Sequence, residues 1–491
     1  MTTSRNCDER ITHASLRRSS GVRALAACCA ATLLAAQGCA LTPGGLRAER
    51  ASMVAAGAEF RRGPNPADLP VPADGNDWRT LLRRALLANG DVRASWFEWK
   101  AAVERVRGAS AWPNSNISVG YSYLFSDESV KTFDRMSFSA GFDAMENLSF
   151  PGKTMAAGRV ALADARAAGE RFRAAKFAMQ RRVLDAWLDL AMAAENARLA
   201  DEGAALAGVA SDAADAAFES GGTQGSAFAA RIASARSDDA AAGARADIAA
   251  AKATLAALTA TDSPERIATP TRLPLARVLP SDHSALLAAV DDGPEVKGLE
   301  ADRQARRQEE DLARLQWIPD INPYAAVTGS IEQSVGAVIV LPTVIAEIQS
   351  GIAVARAMRG AAAARLLQAR RDRRGEVRAM LVTARDAERA RRLLEEHVLP
   401  AAASASSAAA GAYSSGRAGL AELVETHSLL VETRTEVAAA AIEREKALAA
   451  IEEFLGADLE TFTHDHAVRV AAADPAVEVS SRPTASEENP Q

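Results

Sequence analysis

Side chains able to do chemistry are few in this chain and poorly spaced for it. Its six histidines stand at 13, 283, 397, 427, 464 and 466, its methionines form no group at ligand spacing, and all four cysteines (7, 28, 29 and 39) fall within the first 39 residues. A disulfide framework or thiolate metal site is therefore excluded from the rest of the chain, and no residue set predicts a bound metal or cofactor. No nucleophile has a matched base. The glycine-rich "SGGTQGSA" lies between two helical patterns instead of after a strand, which predicts a helix turn and not a phosphate loop. Glu422 and Glu425 are the one pair of acids singled out by spacing: at i and i+3, just past Gly416–Gly419, they share one side of a helix. By themselves they fit a solvated first helical turn, where the helix dipole favours carboxylates. Nothing here predicts an enzyme.

The elements that carry these residues are dominated by alanine. The chain has 491 residues, only 5% of them aromatic, and a formal charge of -6 with acids and bases interspersed. This composition favours closely packed helices and gives nucleic acid no basic footprint. At the N-terminus Arg17, Arg18 and Arg23 precede an apolar run from Ala24 to Ala36, which predicts a secretory signal over residues 1–38. "LLAAQGCA" resembles a bacterial lipoprotein signal, making Cys39 the candidate for lipidation; a plain signal with an incidental Cys39 is the other reading. No other apolar run is long enough for a helical membrane span.

After an extended leader, 39–76, Asp77 is placed to cap a short amphipathic helix that ends at Asn89-Gly90, and a second helix runs on toward Pro113. Clean period-2 alternation follows, with strands expected at about 116–126 and 135–144. Such a hairpin fits a tilted outer-membrane strand pair or a hairpin on a soluble core equally well. The order then recurs. Asn89-Gly-Asp-Val-Arg93 returns as Gly293-Pro-Glu-Val-Lys297, Trp112-Pro113 as Ile318-Pro319, Phe150-Pro151 as Leu341-Pro342, and "AAFESGGTQGSAF" as "GAYSSGRAGLAEL", aligning Gly221 with Gly416. Two repeats, 77–264 and 281–456, are thus joined by a linker, 265–280, and followed by a tail, 457–491, expected to be disordered. Strands of the second repeat are expected at about 321–329 and 335–341.

Long helices are expected at 153–218, 226–260, 347–414 and 419–455. The first, about 66 residues without a proline, would be roughly 100 Å long at 1.5 Å per residue, too long for a compact domain. Its apolar positions, such as Val183, Trp187, Leu190 and Ala194, form a narrow coiled-coil seam, with Trp187 a core residue. The helices should pair as antiparallel hairpins that turn at Gly221-Gly222 and Gly416–Gly419, glycine supplying positive φ. Pro400 should kink the second hairpin, and the first has Ala205 there.

From Asp77 to about Gly456 the chain resembles the TolC family of bacterial outer-membrane efflux proteins. The resemblance rests on the repeat order and on "ALLANGDVRAS", "SFPGKTMAAGRVALADA", "LPTVIAEIQSGIAVARA" and "VLPAAASASSAAAGAYSSGRAGLAELVETHSLL". It implies a mainly α fold with a small β part: a homotrimer whose chains share a twelve-stranded barrel in the outer membrane, joined to a helical tunnel through the periplasm. The implied role is a passive export duct, fed by an inner-membrane pump through a periplasmic adaptor. Phe-Pro-Gly-Lys leans toward the branch that serves heavy-metal pumps of the resistance-nodulation-division type; a drug or protein-secretion duct is the rival, and a soluble periplasmic coiled-coil scaffold the rival of another class. The resemblance places Glu422 and Glu425 at the pore entrance. It gives adaptor docking to the turns at Gly221, Gly222, Thr223, Gly416, Arg417, Ala418, Gly419 and Leu420. Pro151-Gly152 and Pro342 would be barrel-to-helix junctions, one sharp and one gradual.

Overall fold

A computed structural model describes residues 41–58, 60, 69, 74–111, 117–125, 131–142, 149–221, 223–273, 276–278, 283–328, 332–415, 417–460 and 462. The signal segment with Cys39, the two glycines Gly222 and Gly416, and residues 463–491 lie outside the described residues.

Fourteen helices and strands build the described residues apart from short turns. They are helices α1 (Leu46–Ala56), α2 (Trp78–Ala88) and α3 (Gly90–Ala109); strands β1 (Ile117–Tyr123) and β2 (Met136–Phe142); helices α4 (Pro151–Glu219), α5 (Gln224–Thr259), α6 (His283–Val290) and α7 (Pro294–Arg314); strands β3 (Asp320–Thr328) and β4 (Glu332–Val340); and helices α8 (Ile345–Leu393), α9 (Leu399–Ser414) and α10 (Leu420–Leu455). They fall into two compact units, each drawing on both sequence repeats. Among the described residues no helix is long and apolar enough to cross a membrane.

The first unit holds residues 1–56, 97–169 and 298–366. Its four strands form one antiparallel sheet in the order β1-β2-β3-β4, so the hairpins of the two repeats join edge to edge. In the β2–β3 register Ser137 faces Thr328 and Gly141 faces Tyr324. Across β1–β2, Tyr121 and Phe138 are directly paired, with ring centroids 5.2 Å apart, the kind of aromatic cross-strand contact that fixes register. Both rings, and Val119, are largely exposed. The expected extended leader is in part helical: α1 lies on α3, with Trp99 Nε1 donating to Glu49 at 2.9 Å, Arg50 pairing with Glu104 at 2.7 Å, and Leu46 and Met53 buried.

The second unit holds residues 57–96, 170–297 and 367–491. Asp77 caps α2, its carboxylate accepting from Thr80 N at 3.1 Å. A core of Leu286, Val290, Val377, Leu381, Leu448 and Ile451 ties α6, α8 and α10 together, and Trp187 is buried with its Nε1 donating to Gly75 O at 2.8 Å. The linker is fastened as well: Arg277 donates to Glu445 and Glu452, each at 2.7 Å, from α10. Packed chain runs further than expected at the C-terminus. Leu459 is buried in the same core and its N–H donates to Glu452 at 3.1 Å, so residues 457–460 are held by α10 instead of forming part of a disordered tail.

Pro400 acts through the helix ladder. The chain leaves α8 by a π turn, Leu394–Val398, and resumes as α9 with the proline in its first turn. Proline has no N–H to donate and its ring crowds the preceding turn; the wider π turn absorbs that mismatch without ending the helix. Helix α4 runs unbroken past Ala205.

Candidate functional site

The change from strand to helix is built differently in the two repeats. In the first, Pro151 opens α4, where its missing N–H costs nothing because the first helical N–H groups have no partner. Phe150 O accepts from Lys153 N at 2.8 Å, and Phe150 N donates to Asp320 Oδ1 at 3.0 Å. The Lys153 ammonium reaches the same Asp320 oxygen at 2.9 Å, with the two side chains 9% and 18% exposed. Asp320 is the first residue of β3, paired with Val340. The lysine of Phe-Pro-Gly-Lys therefore clasps the start of α4 to the root of the second hairpin. In the second repeat the matching residue is Val344, which is exposed, and four residues separate β4 from α8.

The hairpin turns differ too. Gly221 has φ +105°, a conformation that favours glycine, and its N–H donates to Phe218 O at 3.1 Å. Thr223 is the N-cap residue of α5, and its O accepts from Ser226 Oγ at 2.7 Å. In the second turn Arg417 N and Ala418 N both donate to Ala412 O, at 2.9 and 3.3 Å, and Arg417 Nε donates to Ser415 Oγ at 2.9 Å. Gly419 departs from expectation: it is the N-cap residue of α10 at φ -82°, and a Cβ there would meet nothing within 4 Å. Neither backbone nor space calls for glycine at 419, because an N-cap residue is extended and any residue can adopt that conformation. Leu420 is half-buried as the first residue of α10.

Glu422 and Glu425 are exposed in the first turns of α10. They begin a longer pattern. Glu432, Glu436 and Glu443 are exposed as well, and with Leu429 and Ala439 they continue the alternating steps of three and four residues that follow one face of a helix. The rest of α10 from Thr433 onward is half-buried or buried apart from that stripe. Five glutamates thus line one face of α10 over about 32 Å at 1.5 Å per residue. Among the described residues no cluster of His, Cys, Asp and Glu is arranged to hold a metal ion.

Residues 81–261 match the family model described as outer membrane efflux protein. Over those residues the chain resembles the outer membrane efflux proteins. No curated protein matches its sequence. Solved structures match in fold. A membrane protein from Pseudomonas aeruginosa is 17% identical with a TM-score of 0.67, over 80% of this chain and 92% of that one. The outer membrane protein VceC from Vibrio cholerae is 18% identical with a TM-score of 0.64, over 78% and 96%. The open state of the Neisseria gonorrhoeae MtrE outer membrane channel is 18% identical with a TM-score of 0.61, over 78% and 90%.

Reasoning from sequence named Lys153 only as part of a phrase and missed Asp320, its partner 167 positions away. No local signal carries such a pair. The three further glutamates did have a signal, their heptad spacing with Glu422 and Glu425.

Proposed function

We propose that this protein is a passive export duct of the outer membrane and periplasm, the last component of a tripartite efflux system. The observation that carries the reading is the sheet: the chain contributes four antiparallel strands in sequential order, ending in β1 on one side and β4 on the other, with aromatic and aliphatic side chains exposed. Backbone groups in lipid must all be paired, so an open four-stranded sheet can span a membrane only if copies of the chain close it. Three copies would make a twelve-stranded barrel, with the helical hairpins extending it into the periplasm. The family match and the fold likeness to MtrE, an outer membrane channel, support this reading.

Several parts follow from it. Pro151, Gly152 and Pro342 mark the passage from barrel to tunnel. The turns at Gly221–Thr223 and Gly416–Leu420 dock a periplasmic adaptor, which links the duct to an inner-membrane pump. Glu422 and Glu425, continued by Glu432, Glu436 and Glu443, line the tunnel, and in three copies they favour cations. Heavy-metal cations delivered by a resistance-nodulation-division pump suit such a wall. Cys39 carries the lipid. In support, Leu41 N donates to Ser110 O at 2.8 Å, which ties the chain two residues past Cys39 to the end of the helix that leads into β1.

The test is conductance. Protein extracted with detergent should insert into planar bilayers and give cation-preferring channels; protein that stays soluble without detergent and conducts nothing would overturn the duct.

A further inference from the structure

The first unit contains a cluster that the duct does not explain. Glu310, near the end of α7, has a side chain only 1% exposed, and three arginines converge on it. Arg314 Nη2 lies 2.6 Å from Oε1, Arg356 Nε 3.5 Å from Oε1, and Arg359 Nη1 2.8 Å from Oε2, off the hydrogen-bond line. The arginine side chains are 51%, 63% and 46% exposed. One arginine suffices to neutralise a buried carboxylate and join α7 to α8. Here three share it, and among the described residues only Asp311, 3.9 Å from Arg314, takes up part of the excess. Glu310 holds the three guanidinium groups near one point while about half of each side chain stays exposed in the single chain. Arginine presents a planar fork that matches phosphate oxygens, which a lysine cannot do.

Its position matters as much as its charge. Arg314 ends α7; one short turn later Trp317 is exposed, and β3 starts at Asp320. Phe150, Leu341, Val344 and Ile345, at the ends of the other segments that meet this edge of the sheet, are exposed as well. An aromatic and aliphatic collar at a strand end with arginines just beyond it is the pattern of a membrane-water interface. The geometry points to Arg314, Arg356 and Arg359 as a site for the phosphate of an anionic phospholipid headgroup, on the periplasmic side of the collar. This inference rests on the membrane reading above.

Full-length protein in detergent is titrated with phosphatidylglycerol and with phosphatidylcholine, and bound lipid is counted by native mass spectrometry. R356Q/R359Q should bind phosphatidylglycerol about 25-fold more weakly, roughly fivefold for each arginine near an anionic surface, with phosphatidylcholine unchanged. Equal phosphatidylglycerol affinity in variant and wild type would overturn the site. So would displacement of the lipid from wild type by inorganic phosphate at matching concentration, which would assign the arginines to free phosphate. If R356Q/R359Q does not assemble, R356K/R359K carries the test: it keeps the charge on Glu310 but lacks the fork, and an unchanged affinity again overturns the proposal. Insertion into phosphatidylcholine vesicles tests the membrane reading separately. Wild type that inserts but shows no preference for phosphatidylglycerol sinks the lipid site alone, and wild type that does not insert sinks both.

Discussion

Helices α5 and α10 occupy the same place in the two repeats, yet the same positions face opposite ways. Between Ala227 and Ala251 of α5 the residues not exposed are 227, 230, 234, 237, 241, 244, 248 and 251, a strict heptad seam. With Gly221 aligned to Gly416, the first seven of these correspond to 422, 425, 429, 432, 436, 439 and 443 of α10, all of them exposed. The seam of α5 reads Ala, Ala, Ser, Ser, Ala, Ala, Ile; the stripe of α10 reads Glu, Glu, Leu, Glu, Glu, Ala, Glu. Small side chains permit close approach of α4, which Arg231–Asp215 at 3.0 Å and Arg245–Asp201 at 2.5 Å flank. Glutamates at those positions could not be buried without partners. Duplication preserved the period, and side-chain chemistry decided which face is covered.

The repeats can be driven further apart or closer together by substitution. The largest effect is expected at the junctions. K153A leaves the Asp320 carboxylate with the Phe150 N–H but without its cation, and should cost about 2–3 kcal/mol, toward the lower end for breaking a largely buried ion pair. V344A at the matching exposed position should cost only about 0.5 kcal/mol. Urea denaturation of both decides, and equal losses would erase the difference between the junctions.

Next come the C-terminal ends of the same two helices. Arg84 is buried and donates to Thr259 O at 2.9 Å, Ala260 O at 2.9 Å and Leu69 O at 2.6 Å, so it closes α5. R84A should cost about 2 kcal/mol by leaving buried carbonyls without donors. Helix α5 ends on Ala260 in the left-handed region, φ 49°, where α10 ends on Gly456, φ 64°. Ala260→Gly should stabilise by about 1 kcal/mol, while Gly456→Ala should destabilise by about 2 kcal/mol, since its Cβ would also lie 2.3 Å from Pro294 Cγ. Opposite signs in thermal unfolding are the expected outcome; equal signs would show that the helix ends are not equivalent.

Acid should weaken both hairpins alike. Hydrogen bonding from Arg198 holds Glu195 of α4 below the usual carboxylate range, and hydrogen bonding from Arg391 does the same for Glu388 of α8. A lowered folded pKa gives stability that is fully present above the unfolded value, about 4.3, and is lost as pH falls through the folded value. Hydrogen exchange of the two hairpins below pH 4.3 would reveal any difference as earlier opening of one. The smallest effect is expected from E432Q/E436Q/E443Q, which should lower cation preference in single-channel recordings by on the order of 0.5 kcal/mol, the scale of an exposed charge interaction. Unchanged selectivity would remove those three glutamates from the tunnel wall.

Much of this contrast was open to inspection in the residues. Alternation from Ile117 to Phe125 and from Met136 to Phe142 marks strand, and the heptads mark paired helices, because both periods are local. Pro400 announces an interruption, yet its form as a π turn depends on how the flanking turns are held. Gly419 misled, since a glycine beside a turn does not say which residue of the turn is left-handed. Lys153–Asp320 and the three arginines on Glu310 could not be read, for their partners come from distant elements.

By itself the sequence determined the repeated elements, their duplication and the chemistry of each helix face, all set by spacing within a few turns of chain; helix α1, inside the expected extended leader, it did not. Only the tertiary structure decided that β2 pairs with β3 across the whole first helical hairpin, that each compact unit mixes both repeats, and that equivalent heptads are covered in α5 and open in α10. The physical reason is that periodicity fixes which residues share a face, whereas the partner that covers a face is chosen by packing and charge pairing between segments far apart in the chain.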